Sequence, residues 1–134
     1  KKAEGNADIL VRKTVLDIGR RLVERTPVGD ATYWQSKPPA GYVGGHARAN
    51  WSHSEGDLNT REFDTIDASG GASIGRIVTS VPVKAAGKVH YIQNSVPYIV
   101  PLEDGWSRQA PNGMVAVTAV EFQGVVNAIA GALK

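Results

Sequence analysis

Pro27 is the residue that most constrains this chain. A proline has no backbone N–H and pushes the residue before it out of helical geometry, so a helix arriving from the N-terminal side must stop at about Arg25. Such a helix is written in the residues ahead of it. Ala7, Val11, Val15, Ile18 and Leu22 recur at steps of four and three, which puts them on one helical face. Asp8 near the start and Arg20, Arg21 and Arg25 near the end complement the helix dipole. Beyond Pro27 the character changes: residues 28–46 carry Gly29, Pro38, Pro39, Gly41, Gly44 and Gly45, the composition of a loop. Loops of that length are uncommon in compact domains and are usually functional, so residues 29–45 read as an extended loop or arm.

Downstream, His46 to Ser54 alternates, with Ala47, Ala49 and Trp51 on one side and Arg48, Asn50 and Ser52 on the other, which predicts a strand with one buried face. Residues 55–72 are polar, anchored only by Leu58, Phe63 and Ile66, and read as loop. Ile74 to Val81 and Val89 to Asn94 are rich in β-branched and aromatic residues and predict an antiparallel pair joined through Pro82 to Lys88. Tyr98 to Leu102 is bracketed by prolines and suits an edge segment or a turn. Thr118 and Glu121 have the spacing of a capping box, and Phe122, Val125, Val126, Ile129 and Leu133 behind them predict a C-terminal helix. Met114 to Val117 reads as a short strand or the lead-in to that helix. The expected fold is α+β: an antiparallel sheet of three to four strands packed by an N-terminal and a C-terminal helix, with long loops. A length of 134 residues fits a single domain, 1–134.

Composition narrows the chemistry. With 42% hydrophobic and 21% charged residues the chain is globular in type. It has no cysteine, which excludes disulfides, thiolate catalysis and cysteine-ligated metal. No apolar run approaches the ~18 to 20 residues that span a bilayer, so a soluble protein with no membrane partner is expected. A net charge of +2 is too small to mark a nucleic-acid binder. Within residues 1–25, however, seven basic residues stand against four acidic ones, a local +3 that includes Arg12, Lys13, Arg20 and Arg21.

His46, His53, Glu55 and Asp57 are the one cluster of metal-like composition, but His46 and His53 lie an odd number of residues apart and on a strand would face opposite sides. They read as solvated loop groups, and His90 as a packed or interface residue. Neither a Gly-x-Ser-x-Gly elbow nor a His-Glu-x-x-His helix occurs. The glycine-rich Gly41 to His46 lacks the Lys-Ser/Thr of a phosphate loop. No catalytic, cofactor or metal residue is therefore assigned. Tyr33, Trp34, Tyr42 and Trp106 fall in expected loops, where aromatics either close over the protein's own core or anchor a partner.

Three pieces of the chain occur in a telling order: Thr26-Pro27-Val28, then Ala47-Arg48-Ala49-Asn50-Trp51, then Tyr98 to Met114 with Glu103-Asp104-Gly105-Trp106-Ser107-Arg108-Gln109-Ala110-Pro111 at its centre. Together they resemble the tail-completion, or neck, proteins of long-tailed bacteriophages (head-tail connector, minor tail protein Z-like). The resemblance implies a structural subunit and not an enzyme. It implies a homo-oligomeric, hexameric ring in the virion neck, between a portal-side adaptor and the tail terminator or tail tube, through which double-stranded DNA passes after assembly in the host cytoplasm. Subunit-contact candidates are then Tyr33, Trp34, Tyr42, Arg48, Trp51, Glu103, Asp104, Trp106 and Arg108, and Arg12, Lys13, Arg20 and Arg21 are weaker candidates for lining a DNA channel. The departure from the pattern lies at residues 29–45, where an arm could reach a neighbour. The alternatives are a tail terminator ring, a small nucleic-acid-binding module using the basic first helix, and a hydrolase built on His53 with Glu55 or Asp57.

Overall fold

The computed structural model describes residues 2–27, 45–64, 66–67, 69–96, 99–105, 110 and 112–133. Its elements, in chain order, are helix α1 (Lys2–Arg25), a 3₁₀ turn (Arg48–Asn50), strand β1 (Ser52–Glu55), helix α2 (Gly71–Ser80), strand β2 (His90–Gln93), a short helix α3 (Ile99–Glu103) and helix α4 (Val115–Ala132). The class is α+β. The sheet among the described residues has two strands, not three to four, with β1 antiparallel to β2 and Ser52 opposite Gln93, His53 opposite Ile92 and Glu55 opposite His90. The expected arm lies almost wholly at residues 28–44, outside the described residues.

The first helix ends where Pro27 requires. Thr26 closes it, its N–H on the carbonyl of Val23 and its hydroxyl donating to the carbonyl of Leu22 at 2.7 Å. The missing strands are helical instead. The β-branched Ile74, Ile77, Val78 and Thr79 predict a strand over Ile74 to Val81, yet the chain forms α2 there, with Ser73, Ile77 and then Val81 buried at steps of four. Tertiary context overrides propensity: the Asp67 carboxylate accepts the N–H of Ala72 at 2.9 Å and caps the helix start, while Ser73 is drawn to the carbonyl of Arg48 at 2.6 Å. The strand pairing is displaced accordingly, and β2 pairs with β1 rather than with residues 74–81.

The expected strand at His46 to Ser54 survives only as β1. Its first half turns from Gly45, at φ +86°, into the 3₁₀ turn, because Ala47, Ala49 and Asn50 must all face inward and strand alternation would put Asn50 opposite Ala49. Residues 99–103, expected as an edge segment or a turn, form α3, Pro101 being tolerated in a first helical turn whose N–H groups have no intrahelical partner. The C-terminal helix begins earlier than Thr118, at Val115, so Met114 to Val117 is its lead-in and first turn and the capping box is not made.

The layers also differ from expectation. α2 packs on β1 and on α1, whereas α4 packs chiefly on α1. The core gathers Leu22 and Val23 from α1, Trp51, Ile77, Val81, Val96, Leu102 and Met114, all at most 5% exposed.

Candidate functional site

The motif residues converge. Thr26, at the end of α1, accepts the indole N–H of Trp51 at 2.7 Å. Arg48 turns back onto the same helix end, donating from Nε to the carbonyl of Thr26 and from Nη2 to the carbonyl of Glu24, each at 3.0 Å. A guanidinium there satisfies carbonyls that have no intrahelical partner and opposes the negative end of the dipole. Burial holds the Arg48 guanidinium below its usual pKa, against the pull of Glu24 in the other direction. Around this hub Asn50, wholly buried, accepts the N–H of Phe63 at 2.6 Å and donates to its carbonyl at 3.0 Å, so one side chain pairs with Phe63 as a strand would. Arg76 of α2 donates to the carbonyls of Ala49 and Trp51 and lies 3.8 Å above the Phe63 ring. The 47–51 motif is thus the joint on which α1, α2 and the 56–67 loop are assembled.

Glu103 serves a second joint. Its Oε1 accepts the N–H groups of Met114 at 2.9 Å and Val115 at 2.8 Å, and its Oε2 that of Ala116 at 2.9 Å. The carboxylate of α3 therefore caps α4 from outside, at the end where negative charge is favoured. Gly113 makes the approach possible: at φ +81° a Cβ there would sit 2.5 Å from the carbonyl oxygen of Glu103. Asp104 beside it is exposed. Tyr33, Trp34, Tyr42, Trp106 and Arg108 lie outside the described residues.

Of the basic residues on α1, Arg20 pairs with Asp17 and Glu24, and Arg21 with Asp17 and with Glu121 of α4. Arg25 adds bonds to Glu121 and to the hydroxyl of Thr118. Hydrogen bonds from Arg25 first and Arg21 next lower the Glu121 carboxyl to about 2. Lys13 is exposed and Arg12 half-buried.

This clamp fixes α4 by its one charged residue and leaves much of the helix uncovered. Only Thr118 and Val125 are buried, while Val120 is 86% exposed and Val115 and Phe122 about half exposed. By length and mean hydropathy α4 is the one described helix apolar enough to cross a bilayer, although Thr118, Glu121, Gln123 and Asn127 interrupt it and leave no unbroken apolar run. Between α4 and α1 runs an apolar groove. One part, of about 410 Å³, is walled by Ile18, Leu22, Val115, Thr118, Ala119 and Phe122. The other, of about 250 Å³, continues past Ile18, Leu22 and Phe122 to Thr14, Val15, Ile92 and His90. Sequence reasoning placed Phe122 in the core stripe of the last helix. The signal it passed over was α4's near-total lack of charge on every face.

A polar cluster missed in the sequence borders the groove. His53 and His90 lie on one face of the β1–β2 ribbon, rings stacked with centroids 5.1 Å apart and His53 Nε2 2.9 Å from His90 Nδ1. His53 Nδ1 is 2.7 Å from Ser80 Oγ, and His90 Nε2 is 2.7 Å from the carbonyl of Ala85. The order of hydroxyl, imidazole and orienting group resembles that of a nucleophile and its base. Yet Ser80 ends α2, where carbonyls project instead of the N–H pair an oxyanion needs. His46 is elsewhere, 2.7 Å from Glu62. Among the described residues no three acidic or histidine side chains are grouped to hold a metal ion.

No family model, no curated protein and no solved structure matches this chain.

Proposed function

We propose that the chain is a structural subunit of a phage neck ring, a tail-completion or head-tail joining protein that connects the portal-side adaptor to the tail and leaves a passage for DNA. The observation that carries this reading is the apolar outer wall of α4 with its groove. A helix that exposes Val115, Val120 and Phe122 and has one charged residue, already engaged by Arg21 and Arg25, is built to be covered by protein. A neighbouring copy is the occupant a closed ring supplies, because a head-to-tail interface repeats until the ring closes. The order of the motif residues along the chain supports the same family. Thr26, Arg48, Trp51 and Glu103 are engaged within the subunit, which leaves α4 as the face this reading gives to the next one.

Light scattering coupled to size exclusion tests this, on the protein alone and with a tail-tube or adaptor protein. A ring-sized species that Val120→Asp reduces to monomer is the expected result. A monomer indifferent to both partners would overturn the assignment.

A further inference from the structure

The four polar contacts around His53 and His90 can be counted as protons. His90 Nε2 faces the Ala85 carbonyl at 2.7 Å, so it must carry a hydrogen. Ser80 Oγ faces the His53 carbonyl at 3.0 Å, and satisfying that carbonyl takes the one hydroxyl proton. Ser80 Oγ can then only accept from His53 Nδ1, at 2.7 Å, and that nitrogen needs a hydrogen too. One more proton must lie between His53 Nε2 and His90 Nδ1, which are 2.9 Å apart. Satisfying all four contacts at once takes three ring protons, one more than two neutral imidazoles hold. Remove one, and the Ser80 hydroxyl turns away from the His53 carbonyl, or two nitrogen lone pairs face each other, or the bare His90 Nε2 faces the Ala85 carbonyl. Add one, and two N–H groups collide across the stacked rings.

We propose that Ser80, His53, His90 and the Ala85 carbonyl form a one-proton lock that ties the end of α2 to the β1–β2 ribbon, complete with one shared excess proton and opened by a second. The charged groups around it are few. Glu55, on the same strand as His53 and opposite His90, favours the charged state and is itself 3.5 Å from Lys88 Nζ. From α1, Asp8 accepts the N–H of Ala86, next to Ala85, at 3.0 Å. α2 contributes the neutral Ser80, and α4 the neutral Phe122, which shares the groove wall with His90. Burial first, and His90 second, lower the His53 pKa, which opposes every added proton, the shared one included, so that the acceptors on Ser80 and Ala85 must offset it. Because His90 walls the groove, that second proton also places charge where a partner's apolar surface would lie. Only this last consequence rests on the assembly reading; the proton count stands without it.

Imidazole ¹⁵N shifts of the whole protein, followed from about pH 9 to about pH 4 across the ordinary histidine value of about 6.5, test the lock. The expected result is uptake by the pair in two steps more than about one pH unit apart. Ser80→Ala, which removes the acceptor of His53 Nδ1, should move the first step about one unit lower, and Ser80→Thr should restore it. Independent single steps in both rings, or steps that Ser80→Ala leaves in place, would overturn the proposal. Loss of ring assembly with the two-step titration intact would count against the neck reading alone.

Discussion

The indole N–H of Trp51 donates to the hydroxyl of Thr26 at 2.7 Å, tying the residue just after the first helix to the residue just before the first strand. Thr26 passes the bond on to the carbonyl of Leu22, so one buried hydroxyl joins two elements. Removing either partner leaves a polar group in a site that is at most 3% exposed. Thr26→Val should cost about 1 to 3 kcal/mol, because the indole N–H is orphaned. Trp51→Phe should cost more, since packing is lost as well. In urea titrations the double variant should lose less than the sum of the two; strict additivity would mean that the bond contributes nothing.

Glu103 predicts the stability of a helix it does not belong to. Glu103→Ala should cost about 1 to 2 kcal/mol, in the range of a lost helix cap. The loss should be concentrated in α4. Hydrogen exchange at Met114, Val115 and Ala116 should accelerate while exchange in α2 is unchanged, and equal acceleration in both would refute the local role.

The Glu121 clamp predicts acid sensitivity with a definite sign. Its carboxyl is lowered from 4.5 in the folded chain to about 2, by Arg25 and then Arg21. A depressed carboxyl contributes stability that is complete above its unfolded value and is lost as pH falls through the folded one. The decline should therefore run from about pH 4.5 down to about pH 2. Glu121→Gln should flatten that part of the stability curve, and added salt should do so partly, because the side chains of the pair are 31% and 34% exposed. An unchanged slope in the Gln variant would remove the clamp from the account.

At Gly70 the backbone has φ +79°, and a Cβ would stand 2.6 Å from Cγ1 of Val23, a core residue. Gly70→Ala should cost about 1 to 3 kcal/mol from overpacking and strain together. Gly5→Ala, where a Cβ meets nothing within 4 Å, is the control and should be neutral or slightly stabilising in thermal melts.

Exposed apolar positions on α4 should behave differently from all of these. Val120→Asp changes a side chain that is 86% exposed, so the monomer should keep its stability within about 0.5 kcal/mol. If α4 meets a neighbouring subunit, the same change should abolish assembly. A variant that assembles normally would move the interface to another face.

What the amino-acid sequence determined by itself was the local part of this protein. The stop at Pro27, the amphipathic first helix, the last helix and the strand at residues 90–93 follow from steric rules and periodicities that act within a few residues. Tertiary structure decided the rest, for one recurrent reason: the polar groups that set each outcome lie far apart in the chain. Residues 74–80 are helical because Asp67 and Arg48 supply partners that their β-branched composition does not announce. Glu103 meets Met114 across 11 residues, Ser80 meets His53 across 27, and Arg21 meets Glu121 across 100. Thr118 and Glu121 spell a capping box by spacing, but both side chains are taken by arginines of the first helix, and the cap comes from another segment. The groove and the imidazole pair were illegible for the same cause, since neither exists until α4 lies along α1 and β2 pairs with β1.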